Sequence, residues 1–251
     1  MRRDLDRLTL LGLLLAVVSV VVGSILKGAA LAALLSLAAL MIVLVGTVAA
    51  VLVQTPEPTL RRAIEMSSWM LHPPSSADGS IIARLVGMSR TTRRSGLLGL
   101  EPEIDQLEDP FMRRGLQLVV DGTDPERLRS IMEIELDARE DAEMAAARVF
   151  ESMGVYAPTL GIIGAVLGLM TVMQNLEDPQ LLGQGIAAAF TATVYGIGFA
   201  NLLFLPTAGK LRSLIQLETR RRIMIIDGLA AVAQGENPRV LEARLQGYLS
   251  T

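Results

Sequence analysis

The sequence predicts an all-α integral membrane protein. It should have four transmembrane helices in a 2 + 2 arrangement, a helical cytoplasmic domain between helices 2 and 3, and a helical cytoplasmic tail. Three observations predict it. Residues 8–26, 29–53, 155–176 and 181–205 are apolar runs without a single charged residue, and a spanning helix needs about 20 mostly apolar residues. The runs form two tight pairs separated by the polar block 54–154. No stretch alternates apolar and polar residues as a half-buried β-strand would. An apolar fraction of 51% and a mean hydropathy of +0.45 agree with a membrane class.

Residues 1–7 should be a cytoplasmic N-terminus. Arg2 and Arg3 ahead of the run 8–26 resemble a signal peptide. The run is long, no small-residue cleavage site ends it, and a second run follows almost at once, so a retained first helix is expected. The second helix, 29–53, should end at Gln54-Thr55-Pro56-Glu57-Pro58, because proline cannot continue the hydrogen-bond ladder.

The block 54–154 then reads as helical pieces. Residues 59–72 should be a short helix and 73–80 (PPSSADGS) a loop. Ile81 to Thr91 is helical in pattern, Arg93-Arg94-Ser95-Gly96 is a break, and Glu103 to Leu107 another helical turn. Asp109-Pro110 starts a helix that stops near Asp121-Gly122. Asp124-Pro125 places a capping Asp before a Pro at the first helical position. No Pro or Gly follows until Gly154, and Leu128, Ile131, Met132, Ala138, Ala142 and Ala145 recur at three- and four-residue steps. That helix should run into the third membrane run, 155–176. The fourth helix, 181–206, ends with Pro206, and the tail 207–251 is helical and amphipathic, with a last helix from Asn237-Pro238.

Orientation follows from charge. Of the 23 Lys and Arg residues, all but Lys27 lie outside the two short connections, and the turn after the third run carries Glu177 and Asp178. Lys and Arg favour the cytoplasmic side, so both termini and the long block should be cytoplasmic.

Composition excludes several functions. There is no Cys, hence no thiolate nucleophile, disulfide or Cys metal site. The one His, His72, sits beside Pro73 and Pro74 and reads as a loop residue. A net charge of −3 without a basic stripe gives no nucleic-acid surface. There is no phosphate-binding loop, so no enzyme, metal or cofactor is expected.

The membrane runs carry small residues at helical steps. Gly161, Gly164, Gly168 and Thr171 share one side of the third run; Gly185, Ala189, Ala192, Gly196 and Ala200 are similarly spaced in the fourth. Such stripes let backbones approach closely, either within this chain or around a helix from another. Pro158 and Pro206 lie near the cytoplasmic ends of these runs and can terminate a helix or mark a bend. No Asp, Glu, Lys, Arg or His lies in any run. Proton pumps place an ionisable residue at membrane depth, so if this chain conducts, the titrating group must come from another protein.

Three stretches carry a family resemblance: FMRRGLQLVVDGTDPERLRSIMEIELDARE (111–140), APTLGIIGAVLGLMTVMQNLEDPQLLGQGIAAAFTATVYGIGFANLLFLPTAGKL (157–211) and IMIIDGLAAVAQGENPRVLEARLQGYL (223–249). Residues 1–90 match mainly in hydropathy and loop position. The sequence resembles the MotA/TolQ/ExbB proton-channel superfamily and, within it, the flagellar stator A subunits. The resemblance implies a bacterial inner-membrane protein that forms a homo-oligomeric ring, a pentamer, around B subunits. Each B subunit supplies one membrane helix with the ion-carrying Asp and a peptidoglycan-binding domain. Ion flow would drive the ring, and the cytoplasmic domain would push on the rotor switch complex. The ion gradient supplies about 2.3 kcal/mol per charge per 100 mV.

By resemblance, Pro158 and Pro206 match the family's coupling prolines, and Thr193 matches the fourth-helix Thr near the B-subunit Asp. Ala165 falls where sodium-driven members have Thr and proton-driven members Ala, which favours H+ over Na+. Arg93, Arg94 and Glu101 match rotor-facing charges, while Pro102 departs from relatives that have an acid there. The alternative is a TolQ/ExbB-type subunit powering envelope processes; those relatives usually have one helix, not two, before the main loop.

Overall fold

The computed structural model describes residues 6–28, 35–74, 78–174 and 179–249. The start of the second apolar run (29–34), the end of the third, and the acidic turn at Glu177-Asp178 lie outside the described residues. The described secondary structure is helical throughout: α1 (Arg7–Leu26), α2 (Leu37–Leu40), α3 (Gly46–Gln54), α4 (Glu57–Ser67), α5 (Asp78–Ser95), α6 (Glu101–Ile104), α7 (Pro110–Val120), α8 (Pro125–Gln174), α9 (Pro179–Phe199), α10 (Leu205–Ala233) and α11 (Pro238–Gln246). Two π turns, Met41–Val45 and Ala200–Phe204, join α2 to α3 and α9 to α10 without a break. Four helical segments are long and apolar enough to cross a membrane.

The chain divides into two compact units, 1–73 with 142–213 and 74–141 with 214–251. This partition differs from the boundaries read off hydropathy. Residues 54–73 and 142–154 fall with the membrane helices, and the tail from 214 falls with the middle of the polar block.

The reason in the second unit is a shared core. Met224, Ile225 and Leu229 of α10 pack in one buried cluster with Leu85 of α5, Leu116 of α7 and Met132 of α8. Gly115 lets the cluster close: a Cβ there would stand 2.4 Å from Leu229 Cδ1 and 2.6 Å from Met132 Sδ. Polar ties surround it. Arg129 Nη2 meets Asp227 Oδ1 at 2.6 Å, Arg221 Nε meets Asp78 Oδ1 at 2.5 Å, and Ser89 Oγ donates to Glu236 O at 2.8 Å. The Tyr248 hydroxyl bonds Asp227. Burial, with that carboxylate beside it, pushes the Tyr248 phenol up to about 12.

In the first unit, local signals set the helix ends. Asp6 caps α1 by accepting from the Leu8 and Thr9 amides, and Gly28 turns the chain after α1 at φ +74°. Asp6 also pairs with Lys210, which bonds Thr9 and Met70 O as well. The Lys210 hydrogen bond holds the Asp6 carboxyl down at about 2. Nearer α4, Arg62 Nη2 reaches Glu143 Oε1 at 2.5 Å, and Glu143 is 2% exposed. Arg212 pairs with Glu151.

Both membrane prolines lie inside continuous helix. Pro158 is within α8, and Pro206 directly follows Leu205, the first residue of α10. Neither terminates its helix.

Candidate functional site

The two small-residue stripes face each other within one chain. A Cβ on Gly161 would stand 2.9 Å from Ala192 O and 3.4 Å from the Thr193 Cα. On Gly164 it would meet Ala192 Cβ at 2.7 Å, and on Gly168 Ala189 Cβ at 3.1 Å. On Gly196 it would lie 2.5 Å from Ala157 O and 3.1 Å from the Cα atoms of Gly161 and Pro158. With no side chains between them, α8 and α9 meet backbone to backbone, the arrangement small residues permit in membranes.

One flank of this seam is covered by the second helix. Ile42 lies 3.6 Å from the position of a Cβ on Gly164, and Leu160 lies 3.1 Å from one on Gly46. Ser36 N donates to the Tyr195 hydroxyl at 3.5 Å. Ala165 and Thr193 lie on the other flank. Each is one residue beyond the Gly164–Ala192 contact, and a step of one residue rotates a side chain about 100° around the helix. In both helices that step leads away from the second helix. Ala165 and Thr193 are half-buried, and the Thr193 hydroxyl donates to Ala189 O at 3.3 Å. Phe190 and Ile197, on the same face of α9 as Thr193, are 70% and 51% exposed. On α8, Ile162 and Leu169 flank Ala165 with 58% and 49% exposed. Among the described residues nothing covers the Thr193 flank.

The two prolines are linked only through intervening residues. Pro158 has no N–H for the carbonyl four residues back, that of Gly154. Gly154 packs against Leu205, whose Cδ2 would stand 2.5 Å from a Cβ there, and Leu205 precedes Pro206. Gly196, Pro158, Gly154 and Leu205 thus form a chain of contacts from just beyond Thr193 to the start of α10.

Arg93, Arg94 and Glu101 are all exposed. The arginines end α5, Glu101 starts α6, and Gly96 turns between them at φ +74°. The turn is fixed from below by fully buried Leu100 and by Thr91 Oγ1 donating to Glu103 Oε1 at 3.3 Å. Arginines in a last helical turn also complement the helix dipole.

Ile42 and Gly46 of the second helix, outside the stripes legible in the third and fourth runs, close one side of the seam. Gly46 beside Thr47 inside an apolar run was the available signal. A cavity of about 430 Å3 between α1 and α9 is lined almost wholly by apolar side chains, among them Leu13, Val17, Val194 and Phe199. Among the described residues no group of three or more His, Cys, Asp or Glu is placed to hold a metal ion.

The fold and this seam define a polytopic membrane protein whose apolar runs bring a hydroxyl to the seam but carry no Asp, Glu, Lys, Arg or His. Comparison with known proteins gives that class a family. The model of the "MotA/TolQ/ExbB proton channel family" matches residues 103–224. Motility protein A of Bacillus subtilis is 37% identical over 251 residues, covering 98% of this chain and 91% of that protein. The solved structure of C. jejuni MotAB matches with a TM-score of 0.92 at 32% identity, covering 97% of this chain and 95% of that one. The flagellar MotAB stator complex from Bacillus subtilis matches at 0.89 and 36% identity, covering 97% and 96%. The chain belongs to the MotA/TolQ/ExbB proton channel family, in its flagellar stator A-subunit branch.

Proposed function

We propose that this chain is the stator subunit of a bacterial flagellar motor. Several copies surround a dimer of B subunits in the inner membrane, with both chain ends in the cytoplasm, and together they convert proton flow into torque on the rotor. The observation that carries this reading is the uncovered Thr193 flank. A membrane seam with a hydroxyl and no carboxylate fits a channel completed by another chain's titrating group. Relatives solved as MotAB complexes support that pairing and an oligomeric assembly.

The finer assignments are part of the proposal. Ala165 beside the flank favours H+ over Na+. The family's ring suggests five copies. Pro158 and Pro206 couple the seam to α10. Arg93, Arg94 and Glu101 present exposed charge to a rotor protein. The TolQ/ExbB-type reading is the weaker one, because two apolar runs precede the polar block here.

Motility tests the reading. A strain lacking this gene is expected not to swim, and to recover with the wild-type chain under a proton gradient but not under sodium gradient alone. Thr193→Ala should swim more slowly. Normal swimming after deletion, together with a leaky envelope, would replace the stator reading with the envelope one.

A further inference from the structure

The two π turns lie in different membrane helices, yet they meet in one buried cluster. Val43 comes from Met41–Val45, Ala200 and Phe204 from Ala200–Phe204, and Ala157 of α8 joins them. Ala157 immediately precedes Pro158. π turns within α-helices are rare and concentrate at functional sites.

The second turn has an evident cause. Pro206 has no N–H, and its ring would collide with the carbonyl four residues back. The Leu205 N–H instead reaches five residues back, to Ala200 O, so the widened turn ends directly before the proline. The first turn has no proline. It ends at Gly46, where Leu160 of α8 fills the space a side chain would take.

Each turn has one carbonyl bonded by a buried threonine. Thr47 Oγ1 donates to Val43 O at 2.6 Å and Thr207 Oγ1 to Leu203 O at 2.6 Å. Thr47 is 0% and Thr207 4% exposed. Inside a bilayer every backbone polar group needs an internal partner. The Val43 carbonyl also accepts the Gly46 N–H, so the hydroxyl is a second partner, one that can follow its carbonyl whether the turn is wide or α-helical.

Resting on the stator reading, we propose that the two π turns act as one joint beside Pro158. The Thr47 and Thr207 hydroxyls hold it, and through it the second and fourth membrane helices bend as the ion passes the Thr193 flank. Thr47 and Thr207 are positioning residues; neither needs to touch the ion.

The test uses the full A and B complex in a strain without its own copy of this gene. Thr47→Val and Thr207→Val remove each hydroxyl and keep the shape; Thr47→Ser and Thr207→Ser restore it. The wild-type chain must first restore swimming; failure there sinks the stator reading and leaves the joint to the second arm. That arm measures amide exchange over 43–50 and 203–210 in the purified complex. The valine variants should exchange about fivefold faster, the scale of one lost hydrogen bond, and serine should return it to normal. Stall torque should fall in each valine variant at wild-type assembly levels. The double variant should be no worse than the worse single, since both act on one joint. Wild-type exchange and torque in the valine variants would overturn the proposal. So would losses that multiply in the double variant, or a loss of assembly that serine does not correct, which would make these threonines packing residues.

Discussion

Gly196 shows what one atom can decide in this molecule. A methyl group there would meet the Ala157 carbonyl at 2.5 Å, against backbone that cannot swing aside. Two residues on, Gly198 has nothing within 4 Å. Gly196→Ala should therefore cost about 1–3 kcal/mol by overpacking, and Gly198→Ala should stay within about 0.5 kcal/mol. Thermal unfolding of the detergent-solubilised complex checks the pair, and equal effects would show that α8 and α9 are not in backbone contact. The glycine spacing was legible in the sequence. What the stripe faces was not, because small residues permit close approach without specifying a neighbour.

At the scale of elements, charge pairs tie the polar ends of the first unit's helices together, and their burial sets their worth. Arg62 faces Glu143, which is 2% exposed, and its guanidinium also lies 5.8 Å from the Trp69 ring centre. Arg61 meets Glu65 with 83% and 51% of those side chains exposed. Arg62→Met removes one partner of a buried carboxylate and should cost about 1–3 kcal/mol. Arg61→Met should cost at most about 1 kcal/mol. Chemical denaturation of the two variants separates them, and a small Arg62 effect would mean that the carboxylate does not need this cation. Most helices were marked in the sequence, but α5 runs Asp78–Ser95 where Ile81 to Thr91 was expected, so Arg93 and Arg94 lie in helix rather than in a break. Asp-Pro starts gave α7 and α8, and the absence of Pro and Gly gave the length of α8 up to the membrane. The π turn Met41–Val45 was not marked, because a helix of the same apolar residues can hold either register; for Ala200–Phe204 the only mark was Pro206 just beyond it. The Arg62–Glu143 pairing was hidden too, since it joins residues 81 apart in sequence.

For the whole molecule, hydropathy and the distribution of Lys and Arg gave the four spans and the fold class. The partition into units needed the structure. The apolar stripe of α10 fits a core partner of any sequence, and only the fold shows it closing on α5, α7 and the start of α8. The site was legible in a negative sense: uncharged runs said what this chain lacks. The structure adds the two flanks of the seam, with Ala165 and Thr193 on one side and the second helix covering the other.

The central claim is that this chain forms channel walls and another chain brings the titrating group. Proton uptake into vesicles under an imposed potential tests it most directly, with the chain reconstituted alone and together with its B subunit. The chain alone should give no uptake above empty vesicles, and the complex should give uptake that Thr193→Ala reduces. Proton conduction by the chain alone would contradict it.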